Sequence, residues 1–450
     1  MAKVIEQCQV APSTGSAAEL TLPLTYFDHI WLTLNRVRRV LFYKLPISKS
    51  EFAQNIIPLK DSLSLTLKHY MPLAGNIVCP LDSSGYPELR YVTGDSVSVT
   101  ISESDADFNF LIGNHQKDVK DLYSFVPLLG EPKDAPGVQL GPVFAIQVTL
   151  FPNHGVSIGF TNHHVLGDGA TIVGFIKAWA LLNKFNRDEQ HLANEFVPCY
   201  DRSIIKDPYE LGKLMWVQLR NNFTIEMRDV MNPSNKVQAT FIIRRDDIEK
   251  LKNLILLKKS NPIHVTSFTV TCAYVWTCLI KSQDAIGDQI DENGMEFFGC
   301  AANCRARLDP PLPSSYFGNC IVAYITKTRH VDLAGNEGFT TAVELIGETI
   351  QKRAKDEKFV LTGEWFKELM AVDTNRLLSI VGSPKLDLYQ ADFGWGKPEK
   401  YEFVGHDVEK NVSMSLGKCK DLDGALEVGL WLPKTRMDAF ATIFTQGLHF

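Results

Sequence analysis

Between residues 143 and 185 the hydrophobic period of this chain changes once, and that change sets the fold class. Val143–Phe151 (VFAIQVTLF) and Val156–Phe160 (VSIGF) are short, rich in β-branched residues and partly alternating. They predict two strands with a turn at Pro152–Gly155. From Ala170 to Phe185 the period is helical, with Ile172, Phe175, Ile176, Trp179 and Leu182 on one face. A strand pair feeding directly into an amphipathic helix belongs to an α/β fold. The junction between them reads Thr161-Asn-His-His-Val-Leu-Gly-Asp-Gly169.

That junction admits three readings. Asp168 is placed to cap the helix, and Gly167 and Gly169 permit backbone angles that a side chain resists, so the run is readable as a cap preceded by two core histidines. A metal site is the second reading, but adjacent His163 and His164 point apart in extended chain and no third ligand is nearby, so no metal is expected. The third is catalysis. An imidazole titrates near neutral pH, and at a strand–helix junction His164 has both a fixed orientation and access to substrate, which a general base requires.

Length and composition bound the rest. A chain of 450 residues allows two large domains or about three ordinary ones. Residues 20–185 mix strand and helix signals, including a helix within Ser50–Tyr70. Residues 186–236 are polar, interrupted by prolines and weakly periodic apart from a helix near Tyr209–Asn221, so they read as a crossover between two halves, 1–185 and 237–450. The second half resumes with a strand at Ala239–Arg244 and helices at Asp246–Lys258 and Ser267–Ile280. Strands are expected at Phe297–Ala302 and Cys320–Thr328, then a helix at Gly338–Lys355. Three more strands (Tyr401–Val404, Val412–Leu416, Ala425–Trp431) lead to a last helix at Thr435–Phe444.

The net charge of −6 offers no general attraction to nucleic acid or to an anionic membrane. No run of 18 apolar residues is present, which predicts no membrane span. The start, MAKVIEQCQVAPSTGS, lacks the apolar core of a secretory signal. Nine scattered cysteines form no CxxC pair, and reduced thiols in the cytoplasm are the simplest expectation. The sequons at Asn222 and Asn411 then carry no modification. There is no G-x-S-x-G elbow, P-loop or dinucleotide fingerprint, which counts against a serine esterase, nucleotide hydrolysis and dinucleotide redox chemistry.

Three further constellations stand out. Asp392-Phe393-Gly394-Trp395-Gly396 is either a turn packed around an aromatic ring or a source of an indole N–H donor. In Asn303-Cys304-Arg305-Ala306-Arg307, an arginine is either a solvated strand end or a bidentate partner for Asp168. Lys258 and Lys259, at a helix end, are either solvated or phosphate contacts.

His164-x-x-x-Asp168-Gly169 followed by DFGWG at 392–396 resembles the plant BAHD acyltransferase family. The resemblance runs from LPLTYFDHIWL (22–32) and HYMPLAGNI (69–77) to DFGWGKPEK (392–400). YFGNC at 316–320 is similar to its flavonoid and anthocyanin subgroup, in particular the malonyltransferases of phenolic glucosides. The resemblance implies a monomer of two chloramphenicol-acetyltransferase-like domains with mixed sheets and an active-site channel between them. It also implies transfer of a malonyl group from malonyl-CoA to a sugar hydroxyl of a phenolic or flavonoid glucoside, with no bound cofactor and no covalent intermediate. His164 maps onto the general base, Arg305 onto the partner of Asp168, and Asp392, Gly394 and Gly396 onto structural support. Trp395 remains open between structural support and an oxyanion donor. Ser267 and Thr269 are candidate CoA contacts, and Lys177 or Arg202 a candidate for the malonyl carboxylate. Two alternatives remain: the same fold using acetyl-CoA or a hydroxycinnamoyl-CoA, and a non-catalytic protein that binds CoA or a phenolic glycoside.

Overall fold

The computed structural model describes residues 2–33, 36–82, 85–222, 235–258, 264–287, 290–356, 358–405 and 412–448. The fold is α/β with mixed sheets and a two-domain architecture. In the first sheet the strand order is Lys3–Val10, Val97–Glu103, Phe144–Phe151, Gly155–Asn162, Val37–Tyr43 and Lys400–Phe403. The second runs Ile321–Arg329, Met295–Asn303, Leu377–Val381, Val412–Lys418, Leu426–Pro433, Lys236–Ile243 and Lys117–Asp118. A third, five-stranded sheet is built only from residues of the first half.

The strand pair expected at 143–160 is an antiparallel hairpin, Phe144–Phe151 against Gly155–Asn162. Both strands are buried along their whole length, which explains their apolar composition. Glycine is needed at position 159, where a Cβ would lie 1.9 Å from the Phe125 carbonyl oxygen. The following helix, Gly169–Lys184 (the motif helix below), buries the expected face of Ile172, Phe175, Ile176, Trp179 and Leu182. Each such side chain contributes about 1.5–3 kcal/mol of transfer free energy. The helix packs on Lys49–His69, to which the Trp179 indole donates at Leu59 O (3.2 Å) and Ser62 Oγ (3.1 Å).

Each half also lends a strand to the other's sheet. Lys400–Phe403 pairs with Val37–Tyr43, and Lys117–Asp118 pairs with Lys236–Ile243. Where the two exchanges meet, the charges are buried and mutually satisfied. Lys117 Nζ lies 3.4 Å from Glu402 Oε1, with side-chain exposures of 0% and 3%. Glu402 also accepts from Gln238 Nε2 at 2.9 Å and Thr240 Oγ1 at 3.3 Å, while Lys400 donates to Glu427 at 3.2 Å and to Asn114 at 2.9 Å. Desolvation holds the Lys117 ammonium below its usual pKa. A buried pair of this kind is destabilising when one partner is removed, because the other charge is stranded. Glu402→Leu should therefore cost about 3–5 kcal/mol in unfolding free energy, measured by urea denaturation, and Lys117→Met in the same chain should recover part of it. Equal destabilisation in the single and double variants would contradict this assignment.

Candidate active site

The hairpin strand ends at Asn162, and the chain turns through a single 3-10 turn, His164–Leu166, before the motif helix begins. His163 caps that turn: its Nδ1 accepts from the Val165 N–H at 3.2 Å, which places its ring inward and buried. His164 faces the other way and is only partly buried. Its Nδ1 is sealed and makes no hydrogen bond, so the Nε2 side is the edge available to a substrate. The ring is clamped from one face by Trp31, with centroids 3.7 Å apart and planes 8° from parallel. From below, the Asn319 side chain donates to the His164 carbonyl oxygen at 3.0 Å. Burial pushes the imidazole down to about pKa 4, the Arg39 charge acts in the same direction, and the His164 carbonyl, Asp168 and Asn319 oppose it. His164 is thus neutral at pH 7, the state a base requires.

Asp168 does different work. Its carboxylate is buried and saturated with donors. Oδ1 accepts from the Ala170 and Thr171 N–H groups at 3.1 and 3.3 Å, capping the motif helix. Arg305 grips both oxygens, Nη1 to Oδ2 at 2.7 Å and Nη2 to Oδ1 at 3.1 Å. The Cys320 N–H completes the set at 3.1 Å. Arg305 Nη2 also donates to the carbonyls of Tyr316 and Gly318 at 3.2 Å each. The loop 316–320 is therefore tied to the motif run through one carboxylate and one guanidinium. Gly318 has φ 134°, a backbone conformation that side chains rarely adopt, which favours glycine there. Arg202 itself faces Asp28 at 3.5 Å and donates to the Tyr316 hydroxyl. Asp28 in turn accepts from the Asn319 N–H and Nδ2 at 3.2 and 3.0 Å.

A model of a transferase family, described as "Transferase family", matches residues 1–446. This chain belongs to that family, the BAHD acyltransferases. It is 68% identical to phenolic glucoside malonyltransferase 1 of Nicotiana tabacum, with 100% of both chains covered. It is 43% identical to malonyl-coenzyme:anthocyanin 5-O-glucoside-6'''-O-malonyltransferase of Salvia splendens, over 99% of this chain and 95% of that one. Its fold is similar to the crystal structure of vinorine synthase, with TM-score 0.70 and 19% identity over 98% of this chain and 96% of that chain.

Against this BAHD framework, the structure brings some of the residues singled out by the sequence together and parts others. His164, Asp168 and Arg305 form one cluster. Trp395 lies elsewhere: the DFGWG segment docks at the far end of the motif helix, where Lys184 meets Asp392 at 2.7 Å and Asn183 donates to the Phe393 carbonyl at 2.7 Å. Sixteen residues of helix separate that end from Asp168, about 24 Å at 1.5 Å per residue, so the Trp395 indole is too distant to donate to an oxyanion beside His164. Its ring instead packs edge-on against Tyr43 and stacked on Phe393. The segment is a structural knot, with Asp392 Oδ1 accepting from the Gly394 and Gly396 N–H groups at 2.8 and 2.9 Å and both glycines at positive φ.

The proposed CoA contacts are similarly mixed. Thr269 is buried, with its hydroxyl 2.9 Å from that of Thr266, the cap of helix Ser267–Ala285. Ser267 is partly exposed at the start of that helix. Lys258 is exposed and paired with Glu337 at 2.8 Å, and Lys259 lies outside the described residues. Trp31, Asp28 and Asn319 were not singled out by the sequence as parts of the site. Trp31 sits within the quoted 22–32 stretch, but no periodicity links it to residue 164.

His164 and two neighbouring histidines set a pH dependence. Burial holds His164 and His29 at about pKa 4 and His163 well below the usual value, against about 6.5 in an unfolded chain. Between these values the unfolded chain binds the extra protons, so stability rises with pH there and falls as pH drops below about 6.5. The slope reaches about 1.4 kcal/mol per pH unit for each histidine. Urea midpoints from pH 7.5 down to 5 should decline, and His163→Asn, which retains a capping acceptor, should flatten the decline. A midpoint constant over that range would contradict the neutral, buried assignment.

Proposed function

We propose that this enzyme transfers a malonyl group from malonyl-CoA to a sugar hydroxyl of phenolic or flavonoid glucosides. The observation that carries this reading is the pairing of an open, neutral imidazole with a carboxylate already consumed by structural bonds. It is supported by 68% identity to a phenolic glucoside malonyltransferase across the full length. In this reading the acceptor hydroxyl oxygen attacks the thioester carbonyl carbon while His164 Nε2 takes its proton. The tetrahedral intermediate then collapses, the C–S bond breaks, and the same Nε2 returns the proton to the departing thiolate. Ester and free CoA leave with His164 neutral again. The thioester supplies the activated carbonyl and the leaving group, so no enzyme-bound acyl intermediate is needed.

Asp168 and Arg305 act in this scheme by holding the 164–168 loop against the 316–320 loop, and Trp31 by fixing the plane of the imidazole. The halves 1–185 and 237–450 are the working domains of the scheme, with 186–236 crossing between them; residues 223–234 of that crossover lie outside the described residues. Nine free cysteines fit a reducing compartment, and we place the enzyme in the cytoplasm as a monomer. Among the described residues no helix is long and apolar enough to cross a membrane.

Purified protein given malonyl-CoA and a phenolic glucoside should release CoA and yield a product heavier by one malonyl group. His164→Ala should lower kcat by about 10²–10⁴-fold with the thermal melt preserved. Full turnover by that variant would sink the mechanism. A strong preference for acetyl-CoA or a hydroxycinnamoyl-CoA would replace the donor while leaving the base in place, and ligand binding without CoA release would favour a binding protein.

A further inference from the structure

Arg39 is buried at 3% exposure on the strand Val37–Tyr43, and it is provisioned unlike Arg305 and Arg202. Arg305 has Asp168 and Arg202 has Asp28, whereas Arg39 faces no carboxylate within ion-pair distance among the described residues. Its Nη2 donates to Asn162 Oδ1 at 3.3 Å. Its Nε is sealed without a partner, and Nη1 makes no hydrogen bond yet is not among the sealed atoms. The guanidinium lies over the Phe403 ring at 5.5 Å, a cation–π contact that steadies the cation but supplies no counter-charge. Unpaired buried charge is costly and is tolerated where a function uses it.

Its place explains what would use it. Arg39 pairs in register with Phe160, on the strand that runs through Asn162 into His164. The bond to Asn162, whose Nδ2 donates to the His163 carbonyl at 3.1 Å, holds the guanidinium two residues from His164, near enough for its charge to act on that imidazole. We propose that Arg39 receives the carboxylate of an anionic acyl-CoA, fixing the acyl carbonyl beside His164 and selecting a malonyl over an acetyl donor. This rests on the malonyl-donor reading and names the residue that reads the donor's charge. A malonyl carboxylate is one methylene from the reacting carbonyl carbon, so its cation must stand next to the base. Lys177 does not meet that condition. It is eight residues into the motif helix from Gly169, about 12 Å along the axis, and its ammonium feels Asp387 and Glu195. Arg202 is already engaged by Asp28 and Tyr316. A guanidinium with donors to spare binds a carboxylate at two points, which a lysine does not.

The test compares kcat/KM for malonyl-CoA, succinyl-CoA and acetyl-CoA, with one glucoside acceptor, in the unaltered enzyme and in Arg39→Met, Arg39→Gln and Arg39→Lys. Arg39→Met should lower kcat/KM for malonyl-CoA on the order of 100-fold and leave acetyl-CoA within a few-fold. Arg39→Lys should restore part of the difference. Calorimetric affinity should fall for malonyl-CoA and hold for free CoA. Arg39→Gln, which keeps a donor for Asn162, gives the same comparison if the Met variant does not fold, as judged by circular dichroism and thermal melting. Losses equal for all three donors would overturn the role of Arg39 while leaving the malonyl reading intact. An unaltered enzyme that prefers acetyl-CoA to both anionic donors would overturn the malonyl reading, and the anion site with it.

Discussion

The bidentate pair between Asp168 and Arg305 is the interaction on which the site depends. One carboxylate caps the motif helix, accepts the Cys320 N–H and is gripped by a guanidinium that also holds the carbonyls of Tyr316 and Gly318. A buried ion pair gains little over an apolar substitute, but removing one member strands the other. Here the pair joins two segments that are far apart in sequence, and so fixes where the His164 turn sits relative to the second half. The carboxylate accepts five hydrogen bonds and has no acceptor site or open edge left for proton transfer. In the proposed mechanism the proton chemistry then falls to His164, whose imidazole is stacked under Trp31 and whose carbonyl is held by Asn319.

The architecture serves the same end. The crossed strands Lys400–Phe403 and Lys117–Asp118 fasten each half into the other's sheet, and the buried Lys117–Glu402 and Lys400–Glu427 pairs lie at that crossing. Val37–Tyr43 is sandwiched between the hairpin strand that leads to His164 and the exchanged strand Lys400–Phe403. The same short strand carries Arg39 to Asn162, two residues before His164, and Tyr43 to the edge of the DFGWG knot, where its hydroxyl donates to the carbonyl of the preceding Ala391 at 2.8 Å.

What could be read in the sequence follows from what is local. The hairpin at 144–162, the motif helix and its Asp168 cap depend on period and capping chemistry within a few residues, and each formed within a residue or two of its expected bounds. The Arg305–Asp168 pair was legible as a chemical possibility and, through the family resemblance, as a mapped position. Trp395 shows the limit. An indole beside two glycines looks like a donor in sequence, but only the length of the motif helix shows that it stands at the wrong end. Trp31 and Arg39 were illegible for the complementary reason, since stacking on His164 and an absent counter-charge are tertiary facts with no local signature. Four-residue strands such as Lys400–Phe403 were visible as strands, but their sheet membership was not.

In the proposed mechanism Asp168 acts as a brace while His164 carries the proton. A double-mutant cycle on Asp168→Asn and Arg305→Met, read in both kcat/KM and unfolding free energy, tests it most directly. Each single variant should lose stability and activity together, and the double variant should be less damaged than the sum in both readouts, because no buried charge is left stranded. If the stability losses couple in this way while the activity loss from Asp168→Asn persists undiminished in the double variant, the Asp168 charge itself takes part in the chemistry and the brace assignment is contradicted.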